Sequence, residues 1–382
     1  MSTDPQPRIL SGVQPSGKLH LGNYFGAIQQ HIAMQDQGEA FYFIADYHAL
    51  TTLQESANRE KIKHEARRLS SVAVKQVKPD ITVREFSEFQ QSLREVIPVE
   101  PKFVMEKAVR DVALDYLALG LDPTKATFYR QSDVPEVTEL AWILATVTNM
   151  GLLERATSFK DKTAKGIAAS VGLFTYPLLM AADILIVRSH LVPVGKDQVQ
   201  HLEMTRDIAG YFNVAYGKIF PLPTERLAET PAVPGTDGQK MSKSYGNTIE
   251  IFAEGKALEK AVMAVVTDST AVDAPKNPDT CNVFALYKLF ATPAEREQLA
   301  NLYLQPMLDA DKRNGRPFGY GDAKKLLLAK IDQHFAGARA RRKQLVNDPG
   351  RVEEVLTAGA KRAREVARVT MRLVRSAVGI RA

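Results

Sequence analysis

Apolar residues recur along the chain in two periods. Arg8-Ile9-Leu10-Ser11 reads as a short strand and runs into a turn-rich stretch, Gly12-Val13-Gln14-Pro15-Ser16-Gly17. From about Leu21 the period changes, with Tyr24, Phe25, Ile28 and Ile32 at near-helical spacing. Ala40-Phe41-Tyr42-Phe43-Ile44-Ala45 is then an unbroken apolar run of strand length. Strand, glycine-containing loop, helix and buried strand in succession predict a βαβ unit, and hence a parallel sheet. Residues 58–76 and the stretch from Lys107 to Leu119 read as further helices. Residues 221–248, rich in Pro, Gly, Thr and Ser, read as a long loop or linker, and beyond Ala257 the pattern is mostly helical. A weak echo between 79–98 and 122–135, including Gln91-Ser92 against Gln131-Ser132, is what strand patterning alone can produce.

Composition narrows the class. The 382 residues are 45% hydrophobic and 25% charged, a globular mixture that excludes intrinsic disorder and suggests about two domains. No apolar run is long enough to span a membrane, and MSTDPQPRIL lacks the apolar core of a signal peptide, so the expected setting is cytoplasmic. Cys281 is the only cysteine, which excludes an internal disulfide and any multi-cysteine metal site. The net charge of +6 is unevenly spread. Residues 323–382 hold 15 Lys+Arg against 5 Asp+Glu, leaving the rest of the chain at 35 against 39. A near-neutral body with a basic end suits a polyanion partner, or is simply a solvated basic helix.

Gly12 to Lys18 nearly matches the phosphate-binding pattern GxxxxGK[ST], but Leu19 has no hydroxyl for Mg²⁺. The tetrapeptide His20-Leu21-Gly22-Asn23 supports another reading. It places His20 and Asn23 at a helix start, beside free N–H groups and the positive end of the dipole. Gly22 leaves the backbone open to a nucleotide. Such an arrangement binds phosphate and stabilises charge growing on it. Far downstream, Lys240-Met241-Ser242-Lys243-Ser244 lies in the Pro/Gly-rich stretch. Two ammonium groups three residues apart on a flexible loop can reach a departing pyrophosphate, and a clamp that closes late favours the transition state. For an isolated pair, two solvated lysines would be the ordinary reading.

With both segments in one chain, the sequence resembles the class I aminoacyl-tRNA synthetases. His20-Leu21-Gly22-Asn23 stands for their HIGH motif, and residues 240–244 reproduce KMSKS without change. Within that class it is similar to the tryptophanyl-tRNA synthetase family. The likeness is carried by residues 11–17, by Thr175-Tyr176-Pro177-Leu178-Leu179-Met180-Ala181-Ala182-Asp183-Ile184-Leu185, and by Val192-Pro193-Val194-Gly195-Lys196-Asp197-Gln198 leading into Gln200-His201-Leu202-Glu203. Compared with that family, about 50 residues near Glu55–Glu106 look inserted, and Leu10 stands where an aromatic residue is common.

The resemblance implies an α/β fold: a Rossmann-like parallel-sheet catalytic domain over 1–210, a linker over 211–256 carrying the KMSKS loop, and an α-helical C-terminal domain over 257–382 that binds the tRNA anticodon. It implies ATP with Mg²⁺, the metal held mainly by phosphates and water rather than by a protein site. It further implies L-tryptophan and tRNA(Trp) as partners and a homodimer, for which the apolar positions from Trp142 to Leu153 are candidates. His20, Asn23, Lys162, Lys240 and Lys243 would carry catalysis. Gln14, Ser16, Gly22, Gly195, Asp197, Met241, Ser242 and Ser244 would join them around ATP. The indole N–H is a donor and needs a buried acceptor. Asp183 is the candidate, although helix capping or an ion pair would also explain an acid among apolar residues. Met180, one helical turn earlier, can lie against the ring, with Val192 and Val194 as walls. Tyr176 and Gln198 would fix the amino and carboxylate groups. His48, just past the second strand, is either a substrate contact or structural. Near the end, Lys361, Arg364, Arg368, Arg372 and Arg375 form a basic stripe suited to RNA phosphates, and Val366, Val369, Leu373 and Ala377 an apolar stripe for docking. The rival readings are a tyrosyl-tRNA synthetase, a small-molecule nucleotidylyltransferase and a non-catalytic RNA-binding paralogue.

Overall fold

The computed structural model describes residues 6–51, 101–157, 160, 170–195, 198–227 and 232–381. The expected helix over 58–76, the 79–98 echo and most of the apparent insertion lie outside them, as do Lys162 and Asp197. Among the described residues, five strands form one sheet: β1 (Arg8–Val13), β2 (Glu39–Ile44), β3 (Ala126–Arg130), β4 (Leu191–Val194) and β5 (Thr224–Leu227). Their order is β3-β2-β1-β4-β5, and every pairing is parallel. Central β1 is paired with β2 from Arg8↔Glu39 to Val13↔Ile44, and with β4 at Ile9↔Leu191. The sheet thus grows outward in both directions from β1, which makes the carboxyl end of β1 a topological switch point.

The apolar run in β2 is explained by burial on both faces. Ala40, Tyr42 and Ile44 enter one core, with Leu21, Phe25 and Ile28 of the first helix and residues of helix α2 (Pro101–Leu119). Phe41 and Phe43 enter the other, with α3 (Glu136–Ala145), α4 (Met150–Glu154), α5 (Val171–Ile186) and α6 (Val199–Tyr216). The first helix, α1, is α-helical over Leu21–Asn23 and Gln29–Met34, with a π-helical stretch over Tyr24–Ile28 between them. Helix α5 starts where the Ser170 hydroxyl accepts from the Leu173 N–H, a cap typically worth about 1 kcal/mol.

The stretch read as a linker contains β5, whose four residues are all exposed and so lack the alternation that would mark a strand. The sheet therefore extends past residue 210, and α6 runs across that boundary. Helices α7 (Gly255–Met263), α8 (Asn282–Tyr287), α9 (Pro293–Leu304) and α10 (Tyr320–Val346) follow, and their buried residues join the first of the two cores. The last helix, α11 (Pro349–Val378), returns to the sheet and covers edge strand β3. Its approach is close: a Cβ on Gly359 would stand 1.8 Å from the Phe128 carbonyl oxygen.

That docking corrects the expected helix faces. Of the expected apolar stripe, Val366 is partly buried and packs against the core, whereas Val369 and Leu373 are exposed. The buried face includes Gly359, Ala360, Ala363, Ala367, Thr370, Met371 and Val374. Small residues permit close approach to a strand where bulkier ones would hold the helix off. The basic stripe is divided for the same reason. Arg364 and Arg368 pair with Glu136, and Arg375 with Glu139, all across to α3. Lys361 and Arg372 face solvent.

Candidate active site

The loops that leave β1, β2, β3 and β4 at their carboxyl ends bring most of the candidate residues to one edge of the sheet. After β1 come Gln14 and Ser16, both exposed, and then Gly17 at φ +85°, a backbone conformation that favours glycine. His20 immediately precedes α1 and is 6% exposed. Its backbone N–H donates to Asn23 Oδ1 at 3.1 Å, so these two residues brace the helix start together. The ring Nδ1 has no hydrogen-bond partner among the described residues. Burial, reinforced by the nearby Lys243 charge, lowers the His20 pKa to about 4, so the imidazole is neutral at pH 7.

The lysine loop is held against this helix start. His20 forms an antiparallel bridge with Glu250, the Leu21 N–H donates to the Ile249 carbonyl, and the Ile251 N–H donates to the Leu19 carbonyl. Lys18 pairs with Glu250 at 2.7 Å. Within the loop, Met241 is 4% exposed, while Lys240, Lys243 and Ser244 are exposed. Gly22 proves to be a packing requirement: a Cβ there would lie 3.0 Å from the His20 ring and 3.4 Å from Met241 Cβ. Lys243 Nζ donates to the Ser16 and Gly17 carbonyls at 2.8 and 3.1 Å, joining segments more than 220 residues apart. Desolvation between these segments lowers its pKa to about 8, against the opposing pull of Asp115 and Glu250. Asn247, not singled out from the sequence, shapes the loop by accepting from the Ser242 N–H and donating to Asp237 and the Lys240 carbonyl.

On the other side of the switch point lies a buried polar cluster. Tyr176, Met180 and Asp183 succeed one another on one face of α5. Asp183 is 3% exposed and accepts from His48 Nε2 at 2.8 Å and from Gln131 Nε2 at 2.8 and 2.9 Å. Burial raises its pKa, opposed by both donors. The capping alternative for Asp183 falls away, since it lies well inside the helix. Tyr176 is hydrogen-bonded through its hydroxyl to His201 Nε2 of α6. Met180 is half-buried, Val192 is buried in β4, and Val194 ends that strand. Gly195 and Gln198 follow, the Gln198 N–H donating to the Gly195 carbonyl. Leu10 is 1% exposed and belongs to the core on this side. Gln131 was missed by sequence reading. It directly follows β3, and the strand-end rule that marks His48 applies to it equally. Among the described residues, no group of three His, Cys, Asp or Glu could hold a metal ion.

The chain as a whole is similar to known proteins. The family model described as tRNA synthetases class I (W and Y) matches residues 2–92 and 100–336. The tryptophan–tRNA ligase of Rhodopirellula baltica is 47% identical over 98% of this chain and 100% of that protein. That of Fusobacterium nucleatum is 45% identical over 98% of each. The crystal structure of tryptophanyl-tRNA synthetase from Campylobacter jejuni, complexed with ADP and tryptophan, superposes with a TM-score of 0.77 at 41% identity. It is matched over 98% of this chain and 100% of that one. The chain belongs to the tryptophan–tRNA ligases, within the class I tRNA synthetases.

Proposed function

We propose the following division of labour for an ATP-dependent ligase that joins L-tryptophan to tRNA(Trp). In the first step the tryptophan carboxylate, ionised at pH 7, attacks the α-phosphorus of ATP and pyrophosphate departs. No general base is needed, so the rate comes from positioning and charge stabilisation. Neutral His20 and Asn23 serve the α-phosphate as hydrogen-bonding groups. Lys240 and Lys243 draw on the β- and γ-phosphates, with Lys162 assisting. Gln14, Ser16, Gly22, Gly195, Ser242 and Ser244 are assigned to the ATP side, together with Asp197, while Met241, buried in the core, anchors the lysine loop there. With ATP bound, Mg²⁺ would supply charge neutralisation at the phosphates, beside Lys240 and Lys243. In the second step a hydroxyl of the terminal ribose of tRNA attacks the activated carbonyl and AMP leaves.

Asp183 accepts the indole N–H in this scheme. Met180, Val192 and Val194 enclose the ring, Tyr176 and Gln198 hold the amino and carboxylate groups, and His48 supports Asp183. One observation carries the reading: Lys243 of the KMSKS loop already bonds the Ser16–Gly17 loop, beside the buried ring of His20. The exposed faces of Lys361 and Arg372 remain for RNA in the helical end. Exposed Trp142 and Met150, at 73% and 63%, support a homodimer contact on α3 and α4, testable by solution molar mass. No helix among the described residues is long and apolar enough to cross a membrane, and a role in charging tRNA supports a cytoplasmic setting.

ATP–pyrophosphate exchange over a panel of amino acids tests substrate and reaction together. Tryptophan should drive exchange and tyrosine should not. Exchange with tyrosine alone would overturn the substrate assignment, and exchange without any amino acid would favour a nucleotidylyltransferase.

A further inference from the structure

The Asp183 carboxylate is held from two sides. A carboxylate offers about four acceptor positions, two on each oxygen. Oδ2 accepts from His48 Nε2 at 2.8 Å, and Gln131 Nε2 forks across both oxygens, at 2.8 Å from Oδ1 and 2.9 Å from Oδ2. Among the described residues, Oδ1 shares only that forked bond and so is the oxygen with an open acceptor position.

Gln131 is 1% exposed, and its amide cannot turn over freely. Its Oε1 accepts from the Tyr47 N–H at 3.1 Å. A flipped amide would face that N–H with its own donors and Asp183 with an oxygen. The same Tyr47 N–H also reaches Asp46 Oδ1 at 3.0 Å. Asp46 further accepts from the Ser132 N–H at 3.0 Å and the Ser132 hydroxyl at 2.5 Å. The loops after β2 and β3 are therefore fastened together, and Gln131 carries that fastening to Asp183.

We infer that Gln131 is a specificity-determining positioning residue, whose clamped amide aims the Asp183 carboxylate so that its open Oδ1 position meets a ring N–H of the amino-acid substrate. The inference rests on the tryptophan reading above and extends it to a residue that touches no substrate atom. A buried acceptor held in place rejects a ring of the same shape without an N–H, because the acceptor would then be left unpaired. An acceptor free to rotate or to take up a proton loses that discrimination. The raised pKa of Asp183 fits this, since burial favours the neutral acid and Gln131 is one of two donors opposing it.

The test compares wild type, Gln131→Met and Gln131→Glu in ATP–pyrophosphate exchange. Substrates are tryptophan and β-(3-benzothienyl)alanine, in which sulfur replaces the ring N–H. Both variants should lose roughly 10- to 100-fold in kcat/KM for tryptophan, the range for a lost hydrogen bond to a charged group. The loss should lie mainly in the KM for tryptophan, with the KM for ATP unchanged. The sulfur analogue should change by less than about threefold, so the preference for tryptophan collapses. Parallel losses for both amino acids, with the preference retained, would overturn the inference and leave Gln131 a scaffold residue. Gln131→Glu keeps the side-chain shape and the acceptor for Tyr47, so it decides the matter should Gln131→Met fail to fold. Wild-type exchange with tryptophan separately tests the underlying reading, and its absence would sink both.

Discussion

The two halves of the site are built on opposite principles. Around Asp183 the polar groups are buried, mutually hydrogen-bonded and carried by strand ends and a helix: His48, Gln131 and Asp183 are 8%, 1% and 3% exposed. Around Lys243 the groups sit on exposed loops, with positive-φ glycines at Gly17, Gly238 and Gly246 and an ammonium that, among the described residues, is hydrogen-bonded to backbone carbonyls. Selecting a ring by one N–H requires an acceptor fixed before the substrate arrives, because desolvation is the source of the discrimination. Expelling pyrophosphate requires charge whose contacts improve as the reaction proceeds. A preset pocket and an adjustable clamp meet at the end of one strand, β1.

The clamp is where the largest effect is expected. Lys243→Ala should lower kcat for adenylate formation by about 10²- to 10³-fold, the range seen when one transition-state charge contact is removed. The KM for ATP should move by no more than about threefold, since the ammonium's present partners are two carbonyls that water can replace. Pre-steady-state adenylate formation measures both. Equal losses in rate and ATP binding would make Lys243 a uniform binder and remove the contrast between the two halves.

The preset half predicts a smaller loss of a different kind. In Asp183→Asn, either the amide NH₂ faces the His48 and Gln131 donors or its single oxygen must serve all of them. Tryptophan kcat/KM should fall by about 10- to 100-fold, with the KM for ATP unchanged. Exchange assays on tryptophan and tyrosine read this directly. An unchanged preference would mean that the acceptor for the indole lies elsewhere.

Much of this was legible in the sequence, and the failures have physical causes. The βαβ start was readable because strand and helix differ in period and β2 is buried on both faces. His20, Asn23, Lys240 and Lys243 could be singled out as candidates because they fall in recognisable motifs, and the fold brings the Lys243 loop against the His20–Asn23 helix start. Strand β5 was hidden, because Thr224-Glu225-Arg226-Leu227 is exposed throughout and so shows no apolar alternation. The faces of α11 were misread because apolar bulk was taken as the docking signal, where Gly359, Ala360 and Ala363 dock by being small. Its arginines looked free because Glu136 and Glu139 lie over 200 residues away in sequence. Gln131 passed unnoticed because glutamine is ordinarily a surface residue, and only the fold brings it to Asp183.

A pH profile probes the clamp without removing it. Lys243 titrates near 8, lowered by desolvation, and its charge is present below that pH and lost above it. The titratable groups facing it are His20, neutral above about pH 4, Glu250, and Asp115, raised to about 6 by burial despite Arg342. Around pH 7 Asp115 is mostly ionised and His20 neutral, so neither changes state as Lys243 begins to titrate. In the free enzyme, kcat/KM for ATP should therefore be highest near pH 7, be roughly halved by about pH 8 and fall by up to about tenfold per unit above it. Lys243→Arg should be slower at every pH, since a planar guanidinium cannot reproduce the contacts of a point charge, but its alkaline limb should vanish because the group stays charged. The tryptophan preference should stay constant over the same range, since the charges that act on Lys243 are Asp115 and Glu250 and none belongs to the buried half. A preference that declines in step with the alkaline limb would show the two halves to be coupled, and the separation between pocket and clamp would fail.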